Sequence, residues 1–361
     1  MNIKNFVRKE VFDLTIREYA PKDDSNGKKA DLSLNINPYG VSKNVLEALK
    51  KMDKSKINHY YPENHELMGE ISLYLNIPKE NIIIGDGCDG CLHLIANTFI
   101  EAGDEVIIPT PTFHRYEFHT KLLGGVCKFI PMDNFELSAE KILNSVSDKT
   151  KIIFLCNPNN PTGMAIDPKI KEEIIKKFKG IVVVDEALAD VTDVNGSLLL
   201  KKYDNLIVVR SFSKTFGLAS LRIGYIVAHT DIANQIKKTT SPFQVNGIAQ
   251  ELALIALKDK EHIKLSKEYI QENRKKLING LELLGLKCTP SLTSNFLVDI
   301  SPLHSNSKEL VNELKNNGIY VTDASIFRLP KDTYIRVAIS NEKENSLFME
   351  EMRKLTSELR K

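Results

Sequence analysis

Between about residues 80 and 230 the chain alternates short apolar runs with amphipathic stretches. The runs are "NIIIG", "DEVIIP", "KIIFLC", "GIVVVD", "NLIVVR" and "IGYIVA". They are rich in β-branched residues and read as short buried strands. Stretches such as "PKIKEEIIKKF" lie between several of them and carry helical periodicity. This alternation predicts an α/β layer, a mostly parallel sheet flanked by helices. Beyond about residue 245 the pattern changes. A long helical region, "EHIKLSKEYIQENRKKLINGLELLG", precedes a strand at "SNFLVDI", a helix at "SKELVNELKNNG", strands at "IYVTD" and "YIRVAIS", and a final helix. That reads as a smaller α+β domain. The N-terminal segment carries turn signals in "NINPYG" and is expected to pack with it. The expected division is 1–45, 46–245 and 246–361.

Composition narrows the function. The 361 residues are 42% hydrophobic and 27% charged, enough for a large core. The net charge of +2 gives no argument for nucleic acid or an anionic membrane. No apolar run approaches the length of a membrane span. The start, "MNIKNFVRKEVFD", is charged throughout and lacks an apolar signal core, so a cytoplasmic location is expected. Five cysteines, an odd number over a long chain, do not suggest a disulfide framework.

The candidate chemistry lies where the strands end. After "LIVVR" comes "SFSKTFG", which puts the amine of Lys214 at the end of a core strand, with Arg222 eight residues on. Neighbouring cations lower an amine's pKa and make it a nucleophile. After "NIIIG" comes "DGCDGCLHLIANTF", which reads either as an anion cradle at a helix start or as a tight turn. Phe113, after "DEVIIP", could lie flat against a ring or belong to the core. "NPNNPTG" is a dense turn sequence whose asparagines could reach a ligand. "GIVVVD" ends in Asp185-Glu186, and a carboxylate in a dry crevice needs a cationic partner. An amine, a carboxylate, an amide, an aromatic face and an anion cradle together suit pyridoxal phosphate (PLP).

The quoted "NPNNPTG", "VVVDEA" and "SFSKTFGLASLRIG", with "HYYP", "PTPTF", "SPFQVNGIAQ" and "YIRVAIS", resemble the fold-type I PLP enzymes, specifically class I/II aminotransferases of the histidinol-phosphate aminotransferase kind. The resemblance covers nearly the whole chain. It extends to threonine-phosphate decarboxylase, whose start is similar to "LSLNINPYG". It implies that Lys214 forms the Schiff base and shuttles the substrate proton, and that Asp185 keeps the pyridine nitrogen protonated. Asn160 would bond the ring hydroxyl and Phe113 would stack on the ring. Gly87, Cys88 and Asp89, with Ser211, Ser213 and Arg222, would hold the phosphate. Tyr61 would reach the phosphate of a neighbouring subunit, implying a homodimer. Arg336 would grip the substrate carboxylate, and Tyr19 is a further substrate-side candidate.

Two positions depart from the family pattern. Leu188 stands where aminotransferases have a tyrosine, and Thr322 stands where histidinol-phosphate aminotransferases carry an arginine for the substrate phosphate. Arg328 is the nearby alternative for that phosphate. A small polar, possibly phosphorylated, amino compound is therefore expected as substrate, with histidinol phosphate a poor one. The expected activity is amino transfer. The alternatives are decarboxylation of a phosphorylated amino acid and, from a different class, a catalytically silent binding protein. No metal site is expected, since "CDGC" lacks a second cysteine pair or clustered histidines, and His114 and His119 read as packing residues.

Overall fold

The computed structural model describes residues 3, 6–12, 14, 27–303 and 306–358. Its strands are β1 (Ala30–Asp31), β2 (Ile82–Gly85), β3 (Glu105–Thr110), β4 (Val126–Pro131), β5 (Thr150–Cys156), β6 (Ile181–Asp185), β7 (Leu206–Ser211), β8 (Gly224–Ala228), β9 (Lys287–Cys288), β10 (Asn295–Asp299), β11 (Ile319–Tyr320), β12 (Thr322–Asp323) and β13 (Tyr334–Ala338).

Seven of them form one sheet in the order β2-β8-β7-β6-β5-β3-β4. Neighbours are parallel from β7 to β4, and β8 runs antiparallel to both β7 and β2. The buried strands alternate faces with the period of two that a pleated sheet imposes. Val182, Val184, Leu206 and Val208 join the core on one face, while Val183, Ile207 and Val209 join that on the other. Helices cover both faces, which is why these strands appear in the sequence as unbroken apolar runs. Strand β4 is absent from the expected set. It is an edge strand with no buried residue, so "VCKFIP" carries no apolar run to read.

A second sheet, β12-β13-β10-β9, packs against the helices Lys260–Leu283, Ser307–Asn316 and Glu342–Glu358 around a separate core. The expected single strand "IYVTD" is two short pieces. β11 pairs in parallel with β1, and β12 pairs with β13. Residues 30–32 thus join the small unit. Helix Gly247–Lys258 instead buries Ala249, Leu252, Ala253 and Leu257 in the core of the seven-stranded sheet, beyond the expected limit at 245.

Candidate active site

The C-terminal ends of parallel strands leave loops free to converge in one crevice. Loops following β3, β5 and β7 carry Phe113, Asn160 and Lys214, and the end of β6 carries Asp185. Lys214 lies in the turn Ser211–Gly217, and its Nζ donates to the backbone oxygen of Asn35 at 2.6 Å. Burial, followed by the positive charges of Arg336 and Arg222, pushes its pKa down to about 8. The sequence suggested the neighbouring cations as the cause; burial is the larger effect.

Asp185 ends β6 and is 3% exposed. The expected cation is found one residue on: Glu186 holds Arg210 at 2.6 Å. Among the described residues, the hydrogen-bond donors to Asp185 are neutral. Its Oδ2 accepts from the Tyr116 hydroxyl at 2.7 Å, and its Oδ1 from Ala187 N–H at 3.0 Å and the Cys88 thiol at 3.5 Å. Burial raises its pKa. A dry carboxylate without a cation is costly unless a ligand supplies one. A protonated ring nitrogen would supply it.

The candidate anion cradle is the start of helix Gly87–Phe99, which directly follows β2 and whose N-cap Asp86 makes no side-chain cap bond, leaving its first N–H groups for an anion. Gly87 has φ +84°, and a Cβ there would fall 2.6 Å from Arg222 Nη2, so the glycine is needed for the arginine to approach. Arg222 itself has φ +49°. Ser211 and Ser213 are buried beside it, the Ser213 N–H donating to the Ser211 hydroxyl. Asp89 turns its carboxylate away into Arg115, at 2.6 and 2.8 Å, and His119, at 2.9 Å. His119 is thereby a packing residue.

Arg336 is buried on β13. Its Nη1 donates to Asn160 Oδ1 at 3.1 Å, and its Nη2 to Ser33 O at 2.6 Å and Thr322 Oγ1 at 3.0 Å. Its Nε has no partner among the described residues, and burial lowers its pKa to about 10. An arginine buried without a carboxylate is poised for an anionic ligand. The Arg336 contact engages the Asn160 amide oxygen, so its nitrogen is the group that could donate to a ligand. Phe113 stands edge-on to Tyr116, ring centres 5.8 Å apart.

Three expected residues stand apart. Arg328 does not face the crevice's anion groups. Its fork grips the buried carboxylate of Glu117 at 3.0 and 2.8 Å, and its guanidinium lies 3.9 Å from the centre of the Phe129 ring. Tyr61 packs its ring on the backbone of Gly247, under Lys56, within this chain's own loop surface. Tyr19 lies outside the described residues. Leu188 is buried and offers no hydrogen bond. Among the described residues no three metal-ligating side chains converge. Residues the sequence did not single out are Tyr116, the carbonyls of Ser33 and Asn35, and the Thr322 hydroxyl as a partner of Arg336. Main-chain groups carry no sequence signal, and nothing distinguishes Tyr116 from an ordinary core aromatic.

The fit to PLP therefore rests on observed features: an amine of lowered pKa, a cation-less buried carboxylate, and a glycine cradle shaped around an arginine. The family model for aminotransferase class I and II matches residues 27–351. A histidinol-phosphate aminotransferase of Methanococcus aeolicus is 38% identical over 335 residues, 90% of each chain. The structure of histidinol-phosphate aminotransferase from Sinorhizobium meliloti, in complex with pyridoxal-5'-phosphate, superposes with a TM-score of 0.89 over 98% of both chains at 24% identity. L-threonine-O-3-phosphate decarboxylase from Porphyromonas gingivalis shares the fold at a TM-score of 0.78, covering 91% of this chain and 99% of its own, with 24% identity. With its residues 27–351 matched and its crevice built in this way, the chain belongs to the class I and II aminotransferase family.

Proposed function

We propose that this PLP-dependent aminotransferase moves the amino group of a small phosphorylated amino compound onto a keto acid. The observation that carries the proposal is Arg336, buried, without a carboxylate, beside Asn160 and within the electrostatic reach of Lys214. PLP, once bound, supplies an electron sink for the electrons left at the donor's Cα. The chain's own groups do the rest. Lys214 Nζ, with a pKa near neutrality, takes the proton from Cα and returns it. Asp185 keeps the ring nitrogen protonated. Asn160 holds the ring hydroxyl through its amide nitrogen, and Leu188 adds nothing there. Gly87, Cys88, Ser211, Ser213 and Arg222 hold the cofactor phosphate, Asp89 entering only through its backbone.

Position 322 contributes a hydroxyl bonded to Arg336 and not a second guanidinium. The same Arg336 then serves both halves of the exchange, the donor's anionic group first and the keto-acid carboxylate second. The names of relatives at 36–38% identity support a phosphorylated donor. The threonine at 322 supports one shorter than histidinol phosphate. The test is amine exchange with a keto acid, run with histidinol phosphate beside shorter phosphorylated amines and amino acids. Exchange without carbon dioxide release, fastest for a shorter donor, is expected. Efficient turnover of histidinol phosphate, about 10⁴ M⁻¹s⁻¹ or more in kcat/KM, would overturn the reading of Thr322. Carbon dioxide release would make the enzyme a decarboxylase, and no reaction across the panel would favour a binding protein.

A homodimer is part of the proposal. Ile57, Tyr60 and Phe243 are 76%, 83% and 53% exposed, and the last two stack at 4.9 Å. Adjacent large apolar side chains in the open mark an association surface, and Tyr61 adjoins them. A fully active monomer in sedimentation would refute it. A cytoplasmic setting is supported by five cysteines, all free.

A further inference from the structure

Tyr116 sits in the first turn of helix Arg115–Leu122 and is fully buried. Its ring stacks on Phe154 of β5 at 4.7 Å and 6°, and Phe113 meets it edge-on. The ring therefore has one orientation, which aims the hydroxyl at Asp185 Oδ2, 2.7 Å away. The other contacts of the carboxylate differ in kind. The Ala187 N–H is part of the turn that follows β6, and the Cys88 thiol at 3.5 Å is a weak donor.

A carboxylate this dry drifts toward its neutral form, as the direction of its pKa shift records. Neutral, it would no longer favour a proton on a ring nitrogen. A donor fixed on the far oxygen opposes that drift and sets the plane of the carboxylate. Burial holds the Tyr116 phenol far above its ordinary pKa, so the hydroxyl remains a donor throughout the working range.

We propose that Tyr116 is a positioning residue for Asp185, holding that carboxylate ionised and oriented toward the cofactor's ring nitrogen through its hydroxyl on Oδ2. The proposal rests on the PLP reading of the site.

The test uses Tyr116→Phe, with Tyr225→Phe as the control. The Tyr225 hydroxyl is equally buried and has no hydrogen-bond partner, so its loss removes a core oxygen without touching Asp185. Two quantities are read on the whole protein: the dissociation constant of PLP from the apoprotein, and the pH at which the nitrogen-15 signal of ring-labelled PLP reports loss of the ring proton. Tyr116→Phe is expected to weaken PLP binding about ten- to a hundredfold, the value of one hydrogen bond to a charged group, and to lower the ring's deprotonation pH. Tyr225→Phe should leave both unchanged. A ring-fluorinated tyrosine at 116, a stronger donor of nearly the same shape, should move both readouts the other way, which keeps the test decisive even if the phenylalanine variant folds poorly. Unchanged binding and ring titration in the position-116 variants would overturn the proposal while leaving the cofactor assignment intact. A wild-type protein that does not take up PLP would overturn both.

Discussion

Replacing Lys214 with methionine should abolish transfer and yet stabilise the apoprotein. The ammonium is held in a dry crevice beside two arginines, and its pKa falls from 10.5 to about 8. That fall corresponds to roughly 3 kcal/mol by which the fold disfavours the charged form. Methionine has a similar length and carries no charge. The hydrogen bond to Asn35 O is lost with the amine, at a cost of about 1 kcal/mol. A net gain of about 2 kcal/mol near pH 7 follows. The pH dependence is the sharper part. Between about pH 8 and 10.5 the unfolded chain holds a proton on Lys214 that the folded chain has given up, so wild-type stability rises with pH across that window. Below pH 8 the full penalty is present; above 10.5 it is gone. The advantage of Lys214→Met should therefore be constant below pH 8 and shrink to nothing or reverse by pH 10.5. Urea denaturation of both apoproteins, followed by circular dichroism at several pH values, measures it. A variant less stable than wild type at pH 7, or an advantage that ignores pH between 8 and 10.5, would refute the reasoning.

Arg328→Ala should behave as a stability variant: it removes two hydrogen bonds from the buried Glu117 carboxylate, which keeps only Lys121, at a cost of about 2 kcal/mol, and KM for a phosphorylated donor should not change. Gly87→Ala should weaken PLP binding in equilibrium dialysis, because the new Cβ displaces Arg222 and the positive φ adds about 1–2 kcal/mol of strain. Thr322→Val removes an acceptor from Arg336 Nη2, and steady-state kinetics should show a severalfold higher KM for the keto acid with kcat little altered.

The seven-stranded sheet was legible wherever strands are buried on both faces, since "IVVV" or "LIVV" between turn residues admits little else. The edge strand β4 was not, because its residues are at most half-buried and Lys128 interrupts its apolar positions. "IYVTD" misled for a different reason: its hydrophobic residues Ile319, Tyr320 and Val321 are all buried, but its two ends pair in different sheets, and nothing local marks the switch at Val321. Within the crevice, Lys214, Asp185 and Asn160 were readable because reactive side chains follow strand ends. Arg328 was singled out only through its proximity in sequence to Thr322. Its left-handed backbone, φ +59°, turns the side chain toward Glu117, a geometry that no neighbour-counting along the chain reveals.

The carbonyls of Ser33 and Asn35 hold the two central cations of the crevice, Arg336 and Lys214. The side chains of these two residues are engaged elsewhere, Ser33 with Asp31, and Asn35 with Asn295 and Ser294. Substitution at 33 therefore leaves the grip on Arg336 largely untouched, because the contact is made of backbone. Insertion or deletion of one residue between them is a different matter. The strip is anchored upstream by Leu32 against Tyr320 and Ala338, and downstream by Asn37 on Thr215. A change in length between those anchors would slide one carbonyl off its cation, costing Lys214 its backbone acceptor or leaving Arg336 with only Asn160 and Thr322. This short stretch is thus a ruler: tolerant in its letters, strict in its count.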